Sequence, residues 1–359
     1  MANEVPGALQ ATTRRVLDGL RHAGTIDDYR VLSPGLVRAG SPEAGEAAVD
    51  DEVASASTWR RDVTLMYHPS AWRLSAPALT RLLRSEGGVW VYYEGDPYGL
   101  VRHGLPWVAQ RVGRRASIVF TVGTGAFRRN FTRAGARDVR WVPSAFDYVH
   151  VGPEPSPPVS RTVDFVMIAN RHMPRTPLRL LPGARQRAQF VELMTSEFGD
   201  TFQVWGRGWT GPSAQGSLDY SRQASAVQSA WFSVNWDHFP QEPRYFSNRL
   251  PIALATGSFH LTTAHPGYAA LFEGVAGIDF ADTPRGLVET ARRLRTRLSD
   301  AEISEAIESG KRWAYDHLRA ERPIAQFLRA GGIDVSDDEA IAASEEAHGR
   351  WLREGSIGV

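Results

Sequence analysis

The stretch NRLPIALATGSFHLTTAHPG, Asn248 to Gly267, decides how the second half of the chain is read. Arg249 to Thr256 has the composition of a short helix, and Gly257 stops it, because glycine enters positive φ without a Cβ penalty. Phe259 to Thr262 then reads as a buried strand, and His265-Pro266-Gly267 as a turn. Asn248 is placed to cap the helix, and Pro251 is tolerated in a first turn, where its missing N–H has no partner to lose. Arg249 then stands beside the positive end of that helix. Backbone amides and a guanidinium together suit a diphosphate, the alternative being an ion pair to Glu242 or another acidic group. The turn at His265 to Gly267, ahead of a second short helix, offers a weaker anion site.

The same alternation extends in both directions. Val163 to Ala169, Thr201 to Trp205, Trp231 to Asn235 and Ile278 to Phe280 read as strands. Ala184 to Phe198, Arg222 to Gln228, Tyr268 to Phe272, Gly286 to Leu298 and Ala301 to Leu328 read as helices. Upstream, helices over Ala8 to Leu20, Ala76 to Arg84 and Ala126 to Arg133 alternate with strands at Val63 to Tyr67, Val89 to Tyr93, Ser117 to Val122 and Val139 to Val142. Apolar strands of this kind are buried on both faces of a parallel sheet. VGPEPSPPVS, Val151 to Ser160, has four prolines and no apolar period, and reads as a linker. The chain therefore divides into residues 1–150, a linker at 151–160, a second α/β unit at 161–330, and a tail, 331–359, that either packs back on the first unit or frays.

Composition limits the function. With 41 basic and 40 acidic residues among 359, the net charge of +1 points to neither nucleic acid nor an anionic membrane as a global partner. Cysteine is absent, which excludes disulfide and thiolate chemistry. No apolar run approaches the roughly 20 residues that span a bilayer, so no integral membrane association is expected. Without a signal-like start, a cytoplasmic location is the expectation. Lys311 is the only lysine, so phosphate or carboxylate ligands would meet arginine forks.

In open α/β sheets ligands collect beyond the C-terminal ends of strands. In the first unit these ends carry His68, Glu94, Asp96, Thr124 and Gly125. A carboxylate or histidine there can act as general base towards a hydroxyl, or simply cap a turn. The Thr124 and Gly125 amides can contact an acceptor. In the second unit the strand ends carry Arg171, Gly206, Arg207, Trp209 and Asn235. Glycine allows close backbone approach, arginine meets phosphate, and tryptophan stacks on a base or sugar, or packs internally. G-x-S-x-G and H-E-x-x-H are both missing, which weighs against hydrolase and metalloprotease readings.

VWGRGW at Val204 to Trp209, SVN at Ser233 to Asn235, SNRLPIALATGSFHLT at Ser247 to Thr262 and PGYAALFE at Pro266 to Glu273 resemble the donor half of GT-B glycosyltransferases. The likeness is to the group 1 branch that includes spore-maturation CgeB-like proteins, and it covers Val163 to Leu328. It implies two Rossmann-like domains facing an interdomain cleft. The expected activity is transfer of a sugar from a nucleotide-diphosphate donor to a hydroxyl-bearing small-molecule or glycan acceptor, with no bound metal and no cofactor. Arg249, Asn248, Arg171, Gly206, Arg207, Trp209, Asn235, His265 and Gly267 would then serve the donor. A carboxylate base from the first domain, Asp96 or Glu94, would serve catalysis, with His68 as the alternative to it, and Thr124 and Gly125 would lie on the acceptor side. The family's glutamate falls on Ile252 here, with Glu242 or Glu273 as possible substitutes. A nucleotide-sugar epimerase or hydrolase, or a non-catalytic sugar-nucleotide binding protein, are the alternatives.

Overall fold

The computed structural model describes residues 1–354 other than 3, 5, 7–9, 42, 86, 100–103, 152–159 and 174–179. All of the expected linker except Val151 and Ser160 lies outside the described residues, as do residues 355–359 of the tail.

The first domain is built on β1 (Val63–Tyr67), β2 (Val89–Glu94), β3 (Ile118–Thr121) and β4 (Val139–Trp141), parallel and in the order β1-β2-β3-β4. The connecting helices are α4 (Ala76–Arg84), α5 (Trp107–Arg115) and α6 (Ala126–Arg133). Three consecutive right-handed crossovers advancing in one direction place all three helices on one face of the sheet. Met66, Trp90, Tyr92 and Val119 meet Leu79, Leu82, Ala109, Val112 and Phe131 there. Two helices without a counterpart in the sequence reading, α2 (Pro34–Gly40) and α3 (Gly45–Thr58), extend this side, with Val49 and Val53 in the same core.

The second domain contains β5 (Val163–Ile168), β6 (Phe202–Trp205), β7 (Ala214–Gly216), β8 (Ala230–Val234), β9 (Phe259–Thr263) and β10 (Ile278–Ala281). All are parallel, in the order β10-β9-β8-β5-β6-β7. Strand order reverses between β5 and β8, and a crevice opens beyond their C-terminal ends at such a switch point. The helices are α8 (Ala184–Phe198), α9 (Gln223–Gln228), α10 (Arg249–Thr256), α11 (Tyr268–Leu271), α12 (Pro284–Arg297) and α13 (Asp300–His317). The opening stretch folds as read: α10 ends at Gly257, whose φ of 88° is left-handed, and β9 follows.

One boundary needs correction. The helix expected over Ala301 to Leu328 breaks at Leu318 to Ala320, and a new helix, α14 (Glu321–Gly331), begins with Pro323 in its first turn. Read with the second domain, α14 in fact covers the open face of the first sheet, where Phe327 meets Tyr67, Val91 and Phe120. The last helix, α15 (Asp337–Glu354), lies along α1 (Ala11–His22). The fit is close: a Cβ on Gly19 would stand 2.1 Å from the Ala343 carbonyl oxygen. The chain thus crosses between domains twice, and the crossings are bonded to each other, Phe146 N–H to Leu318 O at 3.0 Å and Ala320 N–H to Phe146 O at 2.9 Å.

Candidate functional site

On the first-domain side, three expected residues converge. His68 follows β1 with φ 45°, a left-handed backbone that is unfavourable for a side chain larger than glycine's. It is held there by a hydrogen bond from Nδ1 to Glu94 Oε1 at 2.7 Å. Glu94 is fully buried. Its Oε2 accepts from the Tyr92 hydroxyl at 2.6 Å, and its Oε1 also from the Asp96 backbone N–H at 3.1 Å. Glu94, expected as a base, is bonded by three donors, an arrangement that fits a carboxylate orienting the imidazole. With Nδ1 donating, His68 Nε2 is the nitrogen left to accept a proton. Burial lowers the imidazole's pKa, but the Glu94 bond and the Glu94 and Asp96 charges outweigh it, and His68 sits above its ordinary value. Asp96 is exposed at the rim, its Oδ2 3.8 Å from His68 Nδ1.

The ligand atoms of His68, Glu94 and Asp96 lie within 4.8 Å of one another, a spacing that a cation could share. Nδ1 and Glu94 Oε1 are already at hydrogen-bond distance, so an ion would have to displace that proton.

The domains meet beside this cluster. Glu242 reaches across and accepts from Gly125 N–H at 2.6 Å and Ala126 N–H at 2.7 Å, capping α6 from the other domain. Thr124 donates through its backbone N–H and its hydroxyl to Pro243 O. Thr124 and Gly125 are therefore not acceptor contacts, and the Gly123-Thr124-Gly125 turn serves the domain junction. A Cβ on Gly125 would stand 2.5 Å from Pro243 Cδ. Glu242 is likewise engaged here and free neither for Arg249 nor for a ribose. Val122, Phe127, Phe239 and Tyr245 form an apolar cluster across the junction. Burial chiefly raises the Tyr245 hydroxyl's pKa; Asp237 adds to this, Arg249 and Arg187 oppose it, and Asp96 of the first domain also raises it. Charged groups of both domains thus act on one tyrosine.

On the second-domain side the switch point is positively charged. Arg249 Nε donates to Ile168 O at 2.6 Å, which brings its guanidinium over the end of β5. Arg187, on the apolar face of α8 and unmarked in the sequence reading, is buried and donates to Trp236 O at 2.6 Å and to His238 Nε2 at 2.7 Å. An arginine on an otherwise apolar helical stripe was its sequence signal. His238 is held neutral, its pKa pushed down to about 2 by burial and by Arg187 and Arg249. Because Nε2 accepts from Arg187, the proton sits on Nδ1, a buried donor without a protein partner. Two guanidiniums and an unpaired N–H gathered at a switch point are suited to bind an anion.

Other expected donor residues take different places. Asn235 and His265 are buried: Asn235 Nδ2 donates to Asp237 Oδ1 at 2.8 Å, and His265 bridges Asp237 Oδ2 and Glu242 O. They shape the loop that carries His238 and touch no open space. Asn248 is helical and exposed and makes no capping bond, because the helical backbone already begins there. Arg171 and Arg207 are exposed where the loops after β5 and β6 are zipped together, with Arg207 N–H donating to Asn170 Oδ1 at 2.8 Å. Gly206, at φ 141°, is required at this seam, since a Cβ would stand 2.2 Å from Ala169 O. Trp209 anchors to Ala169 O through Nε1 and has Arg171 over its ring at 5.9 Å. Gly267 adopts φ 93° at the exposed start of α11. Ile252 is buried in the core with Leu250 and Leu254.

Residues 185–329 match the glycosyl transferase-like family. No curated protein sequence gives a significant match. The chain is similar to sucrose-phosphate synthase from Thermosynechococcus elongatus at 12% identity, covering 88% of this chain and 90% of that one with a TM-score of 0.55. It is similar to the E. coli trehalose-6-phosphate protein bound with UDP-2-fluoro glucose at 10% identity, over 76% and 73% of the two chains, TM-score 0.50. The N-terminal domain of Candida albicans trehalose-6-phosphate phosphatase is similar at 9% identity, over 81% and 74%, TM-score 0.51. At such identities the likeness is one of fold. The chain has the α/β GT-B fold, and the greater part of its second domain is similar to the glycosyl transferase-like family.

Proposed function

We propose that the chain is a metal-independent glycosyltransferase of the cytoplasm, in the CgeB-like branch, moving a sugar from a nucleoside-diphosphate donor to an acceptor hydroxyl. The observation that carries this reading is the pairing of an oriented histidine at one strand end with a cationic switch point in the facing domain. The nucleoside diphosphate lies against Arg249, Arg187 and the His238 Nδ1–H. The acceptor hydroxyl enters on the first-domain side.

His68 Nε2 takes the hydroxyl proton as the acceptor oxygen bonds to the anomeric carbon and the sugar–phosphate bond breaks. The electron pair of that bond leaves with the diphosphate. Glu94 fixes the tautomer and stabilises the imidazolium, while the guanidiniums stabilise the charge that grows on the leaving group. Fixed positive charge on the protein fills the part that a divalent ion plays elsewhere, so activity should persist in excess chelator.

The test is nucleotide release from a panel of nucleoside-diphosphate sugars, with and without hydroxyl-bearing acceptors. Release that depends on acceptor is the expected result. Release that is indifferent to acceptor would make water the acceptor and the enzyme a hydrolase, and binding without release would make it a binding protein.

A further inference from the structure

The near-zero net charge conceals an uneven distribution. Helices α4, α5 and α6 form one layer on the first sheet, and their sequences, APALTRLLR, WVAQRVGRR and AFRRNFTR, hold eight arginines and no acidic residue. Arg81, Arg84, Arg114, Arg128, Arg129 and Arg133 are exposed. Among the described residues no carboxylate forms a salt bridge with any of them, whereas Arg21, Arg30, Arg140, Arg292, Arg293 and Arg329 elsewhere on the surface are each paired. The remaining two are spent on packing, Arg111 over Trp107 at 5.8 Å and Arg115 over Trp90 at 4.5 Å. Acidic residues collect instead on α3, at the border of the layer, where Glu46, Asp50, Asp51 and Glu52 lie. A groove of about 1470 Å³ along α4 adds Arg60 and Arg61 to Arg81 and Arg84, with Trp59 and Asp62 also in its lining.

Trp107 stands at the first turn of α5 and is 52% exposed. A half-exposed indole set in an arginine-rich layer that, among the described residues, forms no salt bridge has the composition of an interfacial anchor. Nucleic acid would call for several stacking rings along a groove, and among the described residues the layer exposes only Trp107 and the groove adds a single half-buried ring, Trp59.

We propose that the α4–α6 face is the surface by which the protein docks peripherally on an anionic lipid bilayer, with arginines meeting headgroup phosphates and Trp107 entering the headgroup region. The inference stands independently of the transfer reaction, since it uses none of the cleft residues.

Co-sedimentation of the full chain with vesicles tests it. Vesicles with about 30 mol% phosphatidylglycerol should carry the protein down at about 50 mM salt, pure phosphatidylcholine should not, and about 500 mM salt should release it. Arg81→Glu/Arg84→Glu/Arg128→Glu/Arg129→Glu should lower partitioning by at least ~100-fold, and Trp107→Ala by roughly 5-fold. The control Arg285→Glu/Arg297→Glu, on the exposed face of α12, should bind as the parent does. Circular dichroism reports whether each variant is folded. The proposal fails if the parent chain ignores anionic vesicles at low salt, if the folded quadruple variant still binds them, or if a short single-stranded RNA binds where vesicles do not.

Discussion

His68 joins an unfavourable backbone to the reaction, and the two are linked through Glu94. His68→Ala should reduce transfer by roughly 10²–10⁴-fold while leaving donor affinity within about 2-fold, read from steady-state rates and donor titration. The pH profile separates base from orienter. Since the imidazole sits above its ordinary value, activity should fall as pH drops through that raised value. Glu94→Gln removes the groups' pairing and leaves burial, so the acid limb should move to lower pH as the rate falls; a limb that stays in place would make Glu94 the base. Arg249→Ala should weaken donor binding by about 10–100-fold, the size of a lost charge-assisted contact. Asp237, buried but bonded to His265 and close to Arg187 and Arg249, lies below its ordinary carboxylate range. A depressed carboxylate stabilises the fold above the unfolded value and loses that contribution as pH falls through the folded one. Asp237→Asn should therefore cost stability at neutral pH and converge with the parent chain in strong acid, as seen in denaturant midpoints.

At the level of elements, Glu242 closes α6 from the opposite domain, a cap that no local pattern could announce. Glu242→Ala should lower stability by about 1–3 kcal/mol, measured by thermal melting, because it strands the amides of Gly125, Ala126 and Phe127 at the junction. Gly19→Ala should be at least as damaging, since the added methyl would meet the Ala343 carbonyl and push α15 off α1. These two sites mark the limit of what was legible. Strands β1, β2, β5 and β9 and helix α10 were readable because apolar runs and glycine stops act over a few residues. The positions of His68 and Glu94 at strand ends and of Arg249 at a helix start were readable from the same local signals. Asn235 and His265 were assigned to the donor because polarity at a strand end looks the same whether it faces a ligand or a buried neighbour. Arg187 and His238 depend on contacts some 50 residues apart, and α14 changes domains because an apolar face carries no label for the sheet it covers.

For the whole molecule, α14 and α15 make the first domain a composite of both chain ends. Ending the chain after Gly332 would remove α15 and bare Val16, Leu20, Ile324 and Leu328, and such a truncation should be insoluble or melt at markedly lower temperature. The two crossings between the domains, at Phe146 and Leu318, are hydrogen-bonded side by side. A protease site engineered between residues 152 and 159 should accordingly yield two fragments that still elute as one particle, with the return strand serving as a splint across the cut.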